Sequence, residues 1–213
     1  MEPIVRETLA AVGHEATALD LACSEGWFAH RLLDWGARRV LGVDIRPENV
    51  YRAELVRARL GSAADRLGFE VADVFDLRPE RIGTFDVVLC LGLIYHLENP
   101  VGALRIAQAL TRGVCVVESQ LVEPHEPLRH GWDAAGKLMT QEAAWAAFPE
   151  PAERQKSSLT GSQGGVVSLI PNREALIQAM RASGFERVEC PAVPPTLDPL
   201  YVEGHRLVVV GRR

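Results

Sequence analysis

Lysine is nearly missing from this chain: only Lys137 and Lys156 stand among its 23 basic residues. With a formal net charge of −5, the composition argues against broad, non-specific contact with nucleic acid, while arginines can still form a local basic patch. Close cysteine pairs are missing too. Cys23, Cys90, Cys115 and Cys190 offer neither a zinc-knuckle nor a redox-dithiol spacing. No apolar run is long enough to span a bilayer. The first 12 residues carry Glu2, Arg6 and Glu7, so they lack the apolar core of a signal peptide. His125, Glu126, His130 and Asp133 match no zinc pattern, and no metal is expected. A reduced, cytoplasmic protein without membrane contact is the expectation.

What is present is alternation. Residues 17–22 form a short apolar run, and residues 27–35 repeat aromatic and aliphatic side chains at helical spacing. Residues 39–44 read as a second strand, and Pro47 opens a helix that Gly61 closes. Residues 67–72 make a third strand and residues 113–118 a fifth. Between them, Phe-Asp-Val-Val-Leu-Cys-Leu at 85–91 has the bulky continuity of a strand covered on both faces. A helix over 100–110 precedes strand five, and a helix capped by Asn172 precedes a final strand pair near residues 185–190 and 206–210. This order predicts an α/β, doubly wound, mostly parallel seven-stranded sheet with an antiparallel last strand, in one domain over 1–213. Residues 119–171 show few strand signals. They read as an insertion after strand five, partly helical over 134–147, and as a substrate lid with a mobile 157–165 stretch.

The chemistry gathers at strand ends. Asp20-Leu21-Ala22-Cys23-Ser24-Glu25-Gly26 ends strand one in an acid and a small-residue loop that lets a ligand approach the backbone. Asp44, followed by Ile45, ends strand two, at the distance where an acid accepts hydrogen bonds from ribose hydroxyls. Ala72-Asp73-Val74 follows strand three, and Leu91-Gly92-Leu93-Ile94-Tyr95-His96 follows strand four at the switch-point crevice. A pyrophosphate-binding loop is the rival reading, but Glu25 would repel it.

Together these segments resemble the class I S-adenosylmethionine-dependent methyltransferases. The resemblance covers the α/β framework and leaves out residues 119–171. It implies S-adenosyl-L-methionine as cofactor, held by Asp20, Ala22, Ser24, Gly26, Asp44, Ile45, Asp73, Val74 and Leu91. Asp73 would sit beside the adenine amino group. The run Gly-Leu-Ile-Tyr-His is also similar to bacterial enzymes that modify the wobble uridine of tRNA. A small-molecule methyl acceptor is the leading expectation. A tRNA-modifying transferase and a non-catalytic cofactor-binding protein are the alternatives.

Three catalytic residues are expected. His96, after strand four, can take the acceptor's proton near neutral pH, or hold the turn before Asn99-Pro100. Tyr95 orients the acceptor, lines the cofactor or packs. Glu118 ends strand five, where it binds a cationic acceptor, orients His96 or forms an internal salt bridge. Trp27 and Phe28 read first as core.

Overall fold

The computed structural model describes residues 1–13, 15–61, 65–123, 128–132, 135–151 and 167–213, without the side chains of 128–132 and 138–140. A helix α1 (Glu2–Val12) precedes β1 (Thr17–Leu21), α2 (Trp27–Asp34), β2 (Arg39–Asp44), α3 (Pro47–Leu60) and β3 (Leu67–Val71). After α4 (Pro79–Ile82) come β4 (Phe85–Leu91), α5 (Pro100–Leu110) and β5 (Thr111–Gln120). The chain then forms β6 (Leu128–Trp132), β7 (Leu138–Gln141), β8 (Trp145–Pro149) and β9 (Val167–Pro171). It ends in α6 (Arg173–Ala182), β10 (Arg187–Glu189), α7 (Pro199–Val202) and β11 (Arg206–Arg212).

Seven strands make one sheet in the order β10-β11-β5-β4-β1-β2-β3. Strands β1 to β5 are mutually parallel, and β11 runs antiparallel to both β5 and β10. This is the doubly wound sheet with a reversed last strand that the strand pattern predicts.

Alternate residues of the central strands feed two cores. On one face Leu19, Val88, Cys90, Cys115 and Val117 pack against Leu104 of α5 and Met180 of α6. On the other, Ala18, Val87, Leu89, Val114 and Val116 meet Val5 of α1 and Leu32 of α2. Burial on both faces explains why β4 and β5 read as unbroken apolar runs. Helix starts follow their caps. The Asn99 side chain accepts from Gly102 N–H at 2.9 Å, and Asn172 accepts from Ala175 N–H at 2.9 Å.

Three expectations need correction. Helix α1 is not anticipated by the strand–helix alternation; Ile4, Val5, Thr8 and Leu9 bury one stripe of it. Residues 134–147 are not helical where described. They contribute β7 and enter β8, because pairing of Trp145–Pro149 with Val167–Pro171 overrides the helical preference of the local alanines. Trp27 is 57% exposed rather than core, with the Arg31 guanidinium stacked 4.4 Å from its ring centroid. His125, Glu126, Asp133 and the 157–165 stretch lie outside the described residues. So does the His130 side chain.

No helix among the described residues is long and apolar enough to cross a membrane. Likewise, no group of three or more metal-ligating side chains occurs among them.

Candidate functional site

Strand order reverses between β1 and β4, and a cleft of about 550 Å³ opens at their carboxyl ends. Its walls include Ala22, Ser24, Asp44, Ile45, Asp73, Val74, Leu91, Tyr95 and His96. Asp20, Gly26 and Glu118 are not on those walls.

The loop after β1 is built under strain. Ala22 and Ser24 both take left-handed backbone, at φ 55° and 50°, a conformation costing an L-residue roughly 1–2 kcal/mol. Gly26 shares that region at φ 80°. A Cβ there would lie 2.6 Å from the Phe69 ring, so glycine is required twice over. The loop is held from β2. Asp44 accepts from Ser24 N–H at 2.9 Å through one carboxylate oxygen. Through the other it accepts from Arg46 N–H at 2.9 Å and Asn49 Nδ2 at 3.2 Å. The oxygen that accepts from Ser24 keeps a lone pair beyond that bond.

Asp20 lies beneath this loop, buried, and its Oδ2 has no hydrogen-bond partner. Burial pushes its pKa up to about 7, the Asp44 charge adds to the rise, and the Ala29 backbone N–H opposes it. A carboxylate in that state lacks a cation. Asp73 caps the turn at Val74–Asp76, accepting from Phe75 N–H at 2.9 Å through Oδ1. Its other oxygen remains available.

These features fit S-adenosylmethionine. An orphaned buried carboxylate suits its ammonium group, a paired acid ends β2 where ribose hydroxyls belong, and an acid with a spare oxygen follows β3 beside Val74.

The opposite wall begins with the turn Ile94–His96. Its backbone is closed by His96 N–H to Leu93 O at 3.0 Å and Leu97 N–H to Ile94 O at 3.2 Å. The His96 side chain therefore does not hold the turn. Neither ring nitrogen has a hydrogen-bond partner among the described residues. Desolvation lowers the His96 pKa; the Glu150 charge opposes this, and Arg206 and Arg46 add to it. The ring is thus neutral, and free to accept a proton, at neutral pH. Tyr95 lies against it, ring centroids 4.3 Å apart.

Glu118 departs from expectation. It is 1% exposed, and both its oxygens bond the Arg206 guanidinium. Tyr201 Oη adds a bond at 3.2 Å. The internal salt bridge is the arrangement found, and Glu118 neither orients His96 nor faces the cleft.

Arg206 is the residue that sequence reasoning missed. Its signal lay in the strand register: Glu118 pairs with Val208 and Gln120 with Arg206, so Glu118 and Arg206 are diagonal neighbours on one face. That register is invisible until the last strand is known to be antiparallel to β5. Asn49 and Arg46, which complete the Asp44 cluster and line the cleft, were also missed.

The sheet order, with its reversed last strand, is that of the class I methyltransferase fold. The family described as "Methyltransferase domain" matches residues 13–181. The chain belongs to that family.

Among curated proteins, the chain is 25% identical over 184 residues to the tRNA U34 carboxymethyltransferase of Desulforapulum autotrophicum, covering 85% of this chain and 48% of that one. It is 33% identical over 107 residues to that of Cellvibrio japonicus, covering 49% and 32%. The chain thus spans half or less of the length of these relatives. Among solved structures, the N-terminal domain of EvdMO1 with S-adenosylhomocysteine bound superposes with a TM-score of 0.70 at 24% identity, over 99% of this chain and 79% of that one. An S-adenosylmethionine-dependent methyltransferase from Mesorhizobium loti gives 0.62 at 24% identity, over 99% and 96%. At these identities the likeness to solved structures speaks for the fold.

Proposed function

We propose that the chain transfers a methyl group from S-adenosylmethionine to a small-molecule acceptor, with His96 as the base. The observation that carries this reading is the His96 ring on the cleft wall that also holds Asp44 and Asp73, its nitrogens without a hydrogen-bond partner among the described residues. The bound cofactor supplies an electrophilic methyl on a sulfonium, so the protein's work is alignment and proton removal. Asp20 would receive the ammonium group, Asp44 the ribose hydroxyls, and Asp73 with Val74 the adenine edge, while Leu91 lines the floor. Ala22 and Ser24 would bring small, left-handed backbone against the cofactor and Gly26 would keep the loop close to the sheet. Tyr95 borders the acceptor side.

Strands β8 and β9 pack beside the turn Ile94–His96. Leu169 N–H bonds Leu97 O at 3.1 Å, tying β9 to the turn that carries His96. The lid role assigned to residues 119–171 rests on this contact.

Calorimetry with S-adenosylhomocysteine tests the cofactor; absence of heat and of a thermal shift at high ligand sinks the reading. His96→Ala then tests the base. Turnover is expected to fall by roughly 10²–10⁴-fold with cofactor affinity unchanged, and near-normal turnover removes the assignment.

A second reading is favoured by the curated relatives, whose names specify tRNA U34 and a carboxymethyl group. A transferred carboxymethyl carries negative charge, whereas Arg206, the arginine touching Tyr95, is already paired with Glu118. Filter binding to tRNA decides between the readings: flat binding at low salt excludes tRNA, and tight binding that weakens steeply with salt replaces the small-molecule acceptor.

A further inference from the structure

The Tyr95 hydroxyl sits at the end of a chain of polar contacts that leads away from the cleft into the protein. Arg206 Nη2 donates to Tyr95 Oη at 2.8 Å. The same nitrogen donates to Glu118 Oε2 at 3.2 Å, and Arg206 Nε bonds Glu118 Oε1. Tyr201 Oη closes the cluster on Glu118 at 3.2 Å. The guanidinium also lies 5.5 Å from the Tyr95 ring centroid and 6.0 Å from that of Tyr201. Glu118, Tyr201 and the two rings thereby fix the guanidinium in place.

Guanidinium has donors and no acceptor. Its bond to Tyr95 occupies a lone pair of the phenol oxygen and cannot take up the phenol's own proton. That proton has no acceptor among the described residues, and Tyr95 borders the cleft. Gly92 lies beneath: a Cβ there would be 3.6 Å from Tyr95 Oη, so the position next to the hydroxyl is kept open. An O–H group oriented from behind, half-buried, with no partner ahead of it among the described residues, is a preorganised donor.

Resting on the acceptor-site reading above, we propose that Arg206 is a positioning residue, held by Glu118, that sets the Tyr95 hydroxyl as a hydrogen-bond donor to an oxygen of the methyl acceptor. The acceptor class this implies carries an oxygen, such as a hydroxyl, phenol or carbonyl, within reach of its nucleophilic atom. Burial raises the Tyr95 pKa, against the Arg206 charge that lowers it, so the phenol keeps its proton at neutral pH and stays a donor.

The test uses protein labelled with carbon-13 at tyrosine Cζ. Its three tyrosines, Tyr51, Tyr95 and Tyr201, give three signals, which Tyr95→Phe and Tyr201→Phe assign. In the S-adenosylhomocysteine complex, adding phenol as probe is expected to shift the Tyr95 signal and leave the Tyr51 signal unchanged. Arg206→Met is expected to move the Tyr95 signal before phenol is added and to abolish the phenol response. Arg206→Lys should restore part of both. S-adenosylhomocysteine affinity within about threefold of the parent shows that the variants fold; in a folded variant, loss of the phenol response and its partial rescue by Arg206→Lys are what a merely structural role would not produce.

An unmoved Tyr95 signal in folded Arg206→Met overturns the positioning role. No Tyr95 response to phenol up to its solubility limit overturns the donor role. Failure of S-adenosylhomocysteine to bind the parent protein overturns the cofactor reading instead, and the signal comparison in the ligand-free protein still judges Arg206.

Discussion

The two walls of the cleft are assembled over different distances along the chain. The wall assigned to the cofactor is made of near neighbours: Asp44 holds Arg46 and Asn49 from its own strand end, and Ser24 only 20 residues away. The acceptor wall joins remote parts. Arg206 reaches Tyr95 across 111 residues, and the paired strands β8 and β9 dock, through β9, on the turn at His96. The first wall is a property of strand ends and the turns that follow them. The second exists only once the last strand and the insertion have docked.

The largest effect expected on cofactor affinity tests the first wall alone. Asp44→Ala removes an acid that orders two backbone N–H groups and an amide, each charge-assisted contact being worth about 1.5–3 kcal/mol. S-adenosylhomocysteine affinity is expected to fall by at least about 30-fold, read by calorimetry, while the Tyr95 environment stays unchanged. Equal loss on both sides of the cleft breaks the division.

The reciprocal change is Asn172→Ala. This buried side chain caps α6 and ties it to the insertion, accepting from Ala144 N–H at 3.1 Å and donating to Glu142 O at 2.6 Å. Loss of the cap and its buried contacts should cost about 2 kcal/mol of stability, seen in denaturant unfolding. Cofactor affinity should be preserved.

The third prediction concerns protons. Asp20 has a carboxyl pKa raised to about 7 in the folded protein, against about 3.9 for an unperturbed aspartate. The folded form therefore keeps a proton that the unfolded chain releases. Stability of the ligand-free protein falls as pH rises between those two values and is level above them. A bound ammonium favours the ionised carboxylate, so ligand binding releases that proton. S-adenosylhomocysteine should bind about tenfold more weakly at about pH 6 than at about pH 8. Calorimetry in buffers of different ionisation enthalpy should register proton release near pH 6. Asp20→Asn is expected to abolish both signals; a pH response that survives it assigns the proton elsewhere.

The smallest effect lies in the loop. Ala22→Gly and Ser24→Gly each relieve a left-handed residue. Set against the entropy glycine adds to the unfolded chain, a gain of about 0.5–1 kcal/mol each is expected in thermal or denaturant melts. A loss would mean that the methyl or hydroxyl makes a contact worth more than the strain.

The contrast between the walls also explains what was legible. The loop at Ala22–Gly26 departs from a glycine-rich pattern, yet its backbone keeps the left-handed geometry. A sequence reading can weigh the two replacements but cannot see that the fold imposes that geometry on them. The unpaired state of His96 was undecidable for a similar reason: whether the turn is held by backbone or by imidazole depends on which hydrogen bonds close it. For Glu118 an internal salt bridge was among the readings, but its partner could not be named, because strand order and register choose its neighbour. The β8–β9 pair was concealed by alanines, whose helical preference is weak beside the pairing of whole strands.

The sequence by itself determined the sheet, its reversed last strand and the acids at three strand ends. Apolar periodicity, caps and turn residues act over a few positions, and those features need nothing longer. Only the tertiary structure decided that one Asp20 oxygen is buried without a partner and that Glu118 belongs to Arg206. Those facts depend on which remote groups meet in a space without water, and close packing of the whole chain settles them.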